Sequence, residues 1–260
     1  GDGFRLLQES LGLTFAEAAR EVDKVVNNIE VEPFKPDIDI DRRRRAMNSL
    51  WQEAKDGPVV AEYLKGRGIP TEIISDVSDV RGHSGLTLFE GHKAMGSYPA
   101  MIALIRNAKG VPISLHRTYI MDGKKEKKIM PPIENITGGA VRLGEPKNTL
   151  VLAEGIETAL AAWAITGHPA WATISAHGLA EFKSIPRHVK KVIIAADNDE
   201  SFTGQAAAFE CAKYMKQREK VETVVTMPKI MGFDMLDVLG EMSDGKVRSN
   251  SEGGLMRWAP

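Results

Sequence analysis

Apolar positions along this chain change period several times, and each change marks an element. Phe4, Leu6 and Leu7 open at helical spacing and stop at Gly12. Thr14, with Glu17 three residues on, starts a second helix as a capping box, and Phe15, Ala18, Ala19, Val22, Val26 and Ile29 form its apolar face. Residues 30–41, EVEPFKPDIDID, hold two prolines and no period, which predicts a linker. Asp41 is the expected N-cap of a helix that turns Met47, Leu50, Trp51 and Ala54 inward, and a further helix spans Pro58 to Gly68. From Val77 the pattern is that of strands: Thr87–Phe89 and Met101–Arg106, separated by a loop EGHKAMGSYP, then Val111–Met121 turning at Asp122-Gly123 into KKEKKIMPP.

From Thr149 short apolar runs alternate with helical periods. A strand through Leu150, Val151 and Leu152 precedes a helix over 156–166, a strand over 170–174, a helical loop after His177 and a strand over 191–196. A helix over 204–218 and a strand over 221–226 follow, and a short helical segment begins near Asp234. This alternation predicts an α/β fold: a mixed α+β segment followed by a parallel sheet with helices on both faces. After Gly240 the sequence is polar, rich in Gly and Ser and without period, so a mobile tail is expected.

Composition narrows the classes. The 260 residues are 43% hydrophobic and 27% charged, enough for one large core or two modest ones. No apolar run reaches the length of a membrane span and no signal-peptide pattern opens the chain. With Cys211 as its one cysteine the chain holds no internal disulfide and no multi-cysteine zinc site, and a cytoplasmic location is the default expectation. The net charge is −1, but it is unevenly spread: residues 31–148 carry 19 Lys and Arg against 15 Asp and Glu, and residues 149–240 carry 9 against 11. A mildly basic segment beside an acidic one suits a polyanion held next to a metal pocket.

The chemistry concentrates where strands end. Glu154-Gly155 follows one predicted strand, Asp197-Asn198-Asp199 another, and Asp234 with Asp237 lies after a third. In an extended backbone Asp197 and Asp199 project to one side. Converging carboxylates, with no His or Cys among them, suit Mg²⁺ or Mn²⁺ that keeps water and takes phosphate oxygens as further ligands. Taken singly, a Glu-Gly is an ordinary turn and an Asp-x-Asp an ordinary solvated loop; three in order, each after a strand, form a candidate site. On the basic side, Arg42 to Arg45 point all round their helix, and Lys124, Lys125, Lys127 and Lys128 crowd a hairpin, where they equally serve as a soluble strand edge. His116 and Arg117 lie on opposite faces of their strand, and His116 reads equally as a core histidine.

The ordered phrases LAEGIETALAA, AADNDESFTGQAAA and a downstream Asp-x-x-Asp resemble the Toprim domain shared by primases, topoisomerases and some nucleases, and within it the primases of phages, plasmids and satellite elements. The resemblance implies a DNA-dependent primase core that makes short RNA primers on single-stranded DNA. Glu154, Asp197 and Asp199 would be catalytic and would hold two or more Mg²⁺ or Mn²⁺ ions together with Asp234 and Asp237. AEYLKGRGIP, LHRTY, the basic return strand and GGAVRL are similar to phrases of these primases, which implies a template and nucleotide groove containing Arg67, His116, Arg117, Lys127, Lys128 and Arg142. The opening GDGFRLLQESLGLTFAEA resembles the end of a zinc-binding domain, so residues 1–30 are expected to be the remnant of one whose zinc ligands lie upstream. The implied organisation is then a polymerase subdomain over 31–148, the Toprim domain over 149–240 and a flexible tail over 241–260. Implied partners are single-stranded DNA, nucleoside triphosphates and a replicative helicase, fused downstream or separate, since no P-loop occurs here. A Toprim nuclease and a non-catalytic nucleic-acid-binding module are the alternatives.

Overall fold

In the computed structural model of the chain, residues 3–26, 39–244 and 254–258 are described. Two units divide at Asp39/Ile40. The first holds α1 (Gly3–Leu11) and α2 (Phe15–Val26). The capping box is present: the Thr14 N–H and hydroxyl both donate to Glu17 Oε2, at 2.8 and 2.7 Å. These bonds hold the Glu17 carboxyl below its ordinary pKa. Most of the predicted 30–41 linker lies outside the described residues.

The second unit begins with α3 (Ile40–Glu53), α4 (Gly57–Gly66) and a short α5 (Thr71–Asp76) that the apolar pattern had not indicated. An antiparallel sheet follows in the order β1 (Val80–Glu90), β2 (Lys93–Arg106), β3 (Pro112–Met121), β4 (Lys124–Ile129). Here the structure corrects a boundary. EGHKAMGSYP is not a long loop, because all but its first turn pairs with β1, through Ala94, Gly96, Ser97 and Tyr98. All but the half-buried Tyr98 are exposed, so no apolar alternation announced them. The β3–β4 turn does fall at Asp122-Gly123, with Gly123 at φ +66°, a conformation a Cβ would strain.

The second sheet contains β5 (Val141–Arg142), β6 (Thr149–Ala153), β7 (Ala170–Ala172), β8 (Lys191–Ala195), β9 (Glu222–Pro228) and β10 (Leu255–Trp258). Its order is β10-β9-β8-β6-β7-β5. The four inner strands are parallel, and β5 and β10 close the edges antiparallel. Helices α6 (Ile156–Thr166) and α9 (Met235–Ser243) cover one face, while α7 (Ala176–Ala180) and α8 (Thr203–Tyr214) cover the other. After Tyr214 the helix widens into a π turn, Met215–Glu219, which carries it one residue past the predicted 204–218 helix. Of the expected tail, residues 245–253 lie outside the described residues; within the described ones α9 runs on to Ser243, and Leu255–Trp258 pairs with β9 while Trp258 packs edge-on to Phe209.

The two sheets share a core. On β2, Ala100, Ile102 and Leu104 pack toward α3, while Met101, Ala103 and Ile105 pack with α4 and α6. This strand is buried on both faces along its second half, which fixes the basic sheet against the parallel one. Asp79 and Arg106 pair through two bonds beside that junction, Arg106 Nε and Nη2 donating at 2.5 and 2.6 Å. Among the described residues no helix is long and apolar enough to cross a membrane.

Candidate active site

Topology places the cleft. From β6 the chain winds through α6 to β7 on one side, and the next strand, β8, lies on the other side of β6. Such a reversal opens a crevice beyond the carboxyl ends of the two strands. Glu154 follows β6 directly, Asp197 stands two residues past β8, and Asp234 follows β9 as N-cap of α9. These three line a cleft of about 650 Å³, counted to its open mouth, with Met101, His116, Thr118, Lys125, Lys127 and Glu157 opposite or beside them. Ile174, also on the lining, sits at φ +73°, a strained conformation for a β-branched residue, and its N–H donates to the Glu154 carbonyl at 2.8 Å.

Asp197 is the centre of the acidic wall. Its Oδ1 is buried without a hydrogen-bond partner. Burial first, then the charges of Asp234, Glu154 and Asp199, push its carboxyl up to about 7. Burial also raises Glu154, against a backbone bond at Ala176 and the Lys127 charge, and it raises Asp234, against backbone bonds at the start of α9. Among the described residues no three such side chains already converge as a ready-made metal cage. Mg²⁺ does not demand one: it is held by one or two carboxylates plus water and phosphate oxygens. An orphaned buried carboxylate oxygen, two further carboxylates and hard oxygen donors throughout fit that kind of ion.

Asp199 and Asp237 are used differently. Asp199 Oδ1 accepts from Ser201 Oγ at 2.5 Å and the Thr203 N–H at 3.2 Å, and its Oδ2 from the Gly204 N–H at 2.8 Å. The Ser201 bond foremost holds its carboxyl below the usual value. A Cβ on residue 204 would lie 2.8 Å from Asp199 Oδ2, so a side chain there would push the carboxylate away from the Gly204 N–H. Asp237 accepts from the Asp234 N–H at 2.8 Å, and Asp234 Oδ1 from the Leu236 and Asp237 N–H groups, a full capping box. Neither Asp199 nor Asp237 lines the cleft.

The expected basic residues separate into groups. His116 and Lys127 face the carboxylates. Arg117 pairs with Lys128 across β3–β4, so both sit on the opposite face from His116 and Lys127. Arg142 stacks on Trp171, 4.5 Å from the ring centroid, and donates to the Asn107 and Ala108 carbonyls, a structural set of contacts away from the cleft. Arg67 turns to Glu157, its Nε 3.1 Å from Oε1. Burial drives the His116 ring down to about 4, with the Lys127 charge adding to it, so the imidazole is neutral near pH 7.

Glu157 is the residue the sequence reading passed over. It is 5% exposed, on a helix whose residues 156–163 are all buried. Tyr63 Oη donates to it at 2.6 Å and Lys125 Nζ to both its oxygens at 2.8 and 2.7 Å. Burial works to raise its pKa, but the Lys125 and Tyr63 hydrogen bonds and the lysine charges prevail and leave it low. A charged residue within an otherwise apolar helix was the available signal, since such a carboxylate is buried only when paired.

Comparison with known proteins agrees with this architecture. Residues 149–244 match the Toprim domain family, and residues 41–143 match a domain of unknown function, DUF7146. No curated protein matches the chain in sequence. Among solved structures, the DnaG primase catalytic domain bound to single-stranded DNA is 16% identical, with TM-score 0.53 over 79% of this chain and 77% of that one. The DnaG catalytic core gives 16% identity and TM-score 0.51 over 78% and 75%. The E. coli primase catalytic core gives 16% and 0.50 over 77% and 75%.

Proposed function

We propose that this chain, a Toprim protein with the fold of a DNA primase catalytic core, is a metal-dependent nucleotidyltransferase that starts RNA primers on single-stranded DNA in phage, plasmid or mobile-element replication. The observation that carries the reading is the unpartnered buried oxygen of Asp197, set between Glu154 and Asp234 and faced by the basic strand β4. Asp197 and Asp234 would hold a Mg²⁺ or Mn²⁺ ion, with Glu154 completing the shell, and Asp199 would hold the β8–α8 turn in place and add negative charge. Two such ions, when bound, lower the pKa of the attacking hydroxyl and neutralise charge on the leaving pyrophosphate. Lys127 brings an ammonium to the phosphates from across the cleft. His116, neutral and buried, offers a ring nitrogen without adding a charge that would repel a cation. On this reading the partners are single-stranded DNA, nucleoside triphosphates and a replicative helicase.

A Toprim nuclease would use the same carboxylates. The lysines of β4 opposite them favour joining, since a triphosphate carries more charge to neutralise than a phosphodiester. The deciding assay combines single-stranded DNA, labelled nucleoside triphosphates and Mg²⁺ or Mn²⁺. Short labelled products that fall at least about a hundredfold in Asp197→Ala are the expected result. Metal-dependent loss of the template without new product would give the nuclease reading instead.

A further inference from the structure

Glu157, on one element, gathers residues from two others. Tyr63 and Arg67 reach it from α4, Lys125 and Lys127 from β4, and it stands itself on the first turn of α6, three residues from Glu154. The two lysines are not equivalent. Lys125 Nζ is bonded to both carboxylate oxygens, whereas Lys127 Nζ stands 3.7 Å from the nearer one with its side chain 46% exposed. The Lys127 charge is felt at Glu154, Asp197 and His116 as well as at Glu157. It therefore stands over the acidic wall while its neighbour is tied down.

We infer that Glu157 is a positioning residue: by anchoring Lys125 and the α4 pair it fixes β4 over the acidic strand ends, and leaves Lys127 free to take the phosphates of an incoming nucleoside triphosphate. The nucleotide part rests on the function proposed above; the anchoring part does not. Three of the four partners are cations and one is a phenol, so a single carboxylate leaves a positive excess on this wall, opposite three further carboxylates. β4 is the edge strand of its sheet, paired only with β3 among the described strands. The Glu157 contacts tie its lysine-bearing face to the parallel domain, and loss of them is expected to let the edge fray.

Wild type, Glu157→Gln, Lys125→Ala and Lys127→Ala separate these roles when amide hydrogen exchange over 112–129 is measured beside equilibrium binding of a fluorescent nucleoside triphosphate with Mg²⁺. Glu157→Gln and Lys125→Ala are expected to speed exchange in β4 by about tenfold and to weaken nucleotide binding. Lys127→Ala should weaken binding by about tenfold with exchange unchanged. A purely structural ion pair would move exchange and melting temperature and leave nucleotide affinity alone, which would overturn the positioning role. Native exchange in Lys125→Ala would overturn the anchor, even should Glu157→Gln fail to fold, because the Lys125 side chain is 37% exposed and its truncation leaves no large buried void. Wild type that binds no nucleotide would remove the triphosphate from the inference and the primase reading with it, while the exchange data would still decide the anchor.

Discussion

At the scale of single residues, two buried groups in the cleft titrate in opposite senses, and the signs make them separable. His116 has its pKa depressed from 6.5 to about 4 by burial. Between those values the unfolded chain binds a proton that the folded one refuses, so this histidine supports the fold above pH 6.5 and withdraws that support as pH falls toward 4. Asp197 runs the other way: raised to about 7, it binds a proton in the folded state that the unfolded chain has released, so ionising it costs stability as pH rises from about 4 to 7. Denaturant titrations in chelator at several pH values should therefore show the stability lead of His116→Gln over wild type growing by about 2 kcal/mol from pH 7 to pH 4.5. Asp197→Asn should gain on wild type by about 1–2 kcal/mol from pH 5 to pH 8. Parallel curves for either variant would contradict the burial assigned to that group. The acidic positions were legible because each follows an apolar run in the sequence. Glu157 was not, because its meaning depends on partners 30 to 94 positions away.

At the scale of elements, α9 shows how a carboxylate near a site can serve the backbone instead. Asp237 closes the capping box from the third helical position, so Asp237→Ala should cost about 1 kcal/mol and lower the melting temperature by a few degrees. Mn²⁺ affinity should change by less than about threefold, a separation that a direct ligand would not allow. The helices and parallel strands of residues 149–240 were readable because both faces of that sheet are covered, which writes continuous apolar runs into the sequence. The first half of β2 and strand β10 were not. The former is exposed except for the half-buried Tyr98, and the latter is four residues whose strand character comes from pairing with β9 rather than from any period of its own. Arg117, Lys128 and Arg142 were grouped with His116 through resemblance to primase phrases; strand alternation already set Arg117 apart from His116, but the pairing of Arg117 with Lys128 and the stacking of Arg142 on Trp171 could not be read without strand register.

At the scale of the whole molecule, two sheets share one boundary, and the cleft is what that boundary leaves open between an acidic edge and a basic strand. The placement follows from strand order, because the reversal between β6 and β8 opens the crevice where Glu154 and Asp197 emerge. Template binding through phosphates should weaken linearly on a log–log plot against salt, and the slope should become shallower by about one in Lys127→Ala if that lysine meets a phosphate. An unchanged slope would contradict a template-phosphate contact at Lys127.

The proposed function requires the acidic wall around Asp197 to receive a divalent cation. Mn²⁺ titration followed by electron paramagnetic resonance, on wild type and on Asp197→Asn with the fold verified by circular dichroism, tests it without recourse to activity. Saturable binding in wild type that is lost, or weakened at least about tenfold, in Asp197→Asn is the expected result. Equal binding by the two proteins, or none by either in the presence of nucleoside triphosphate, would contradict it.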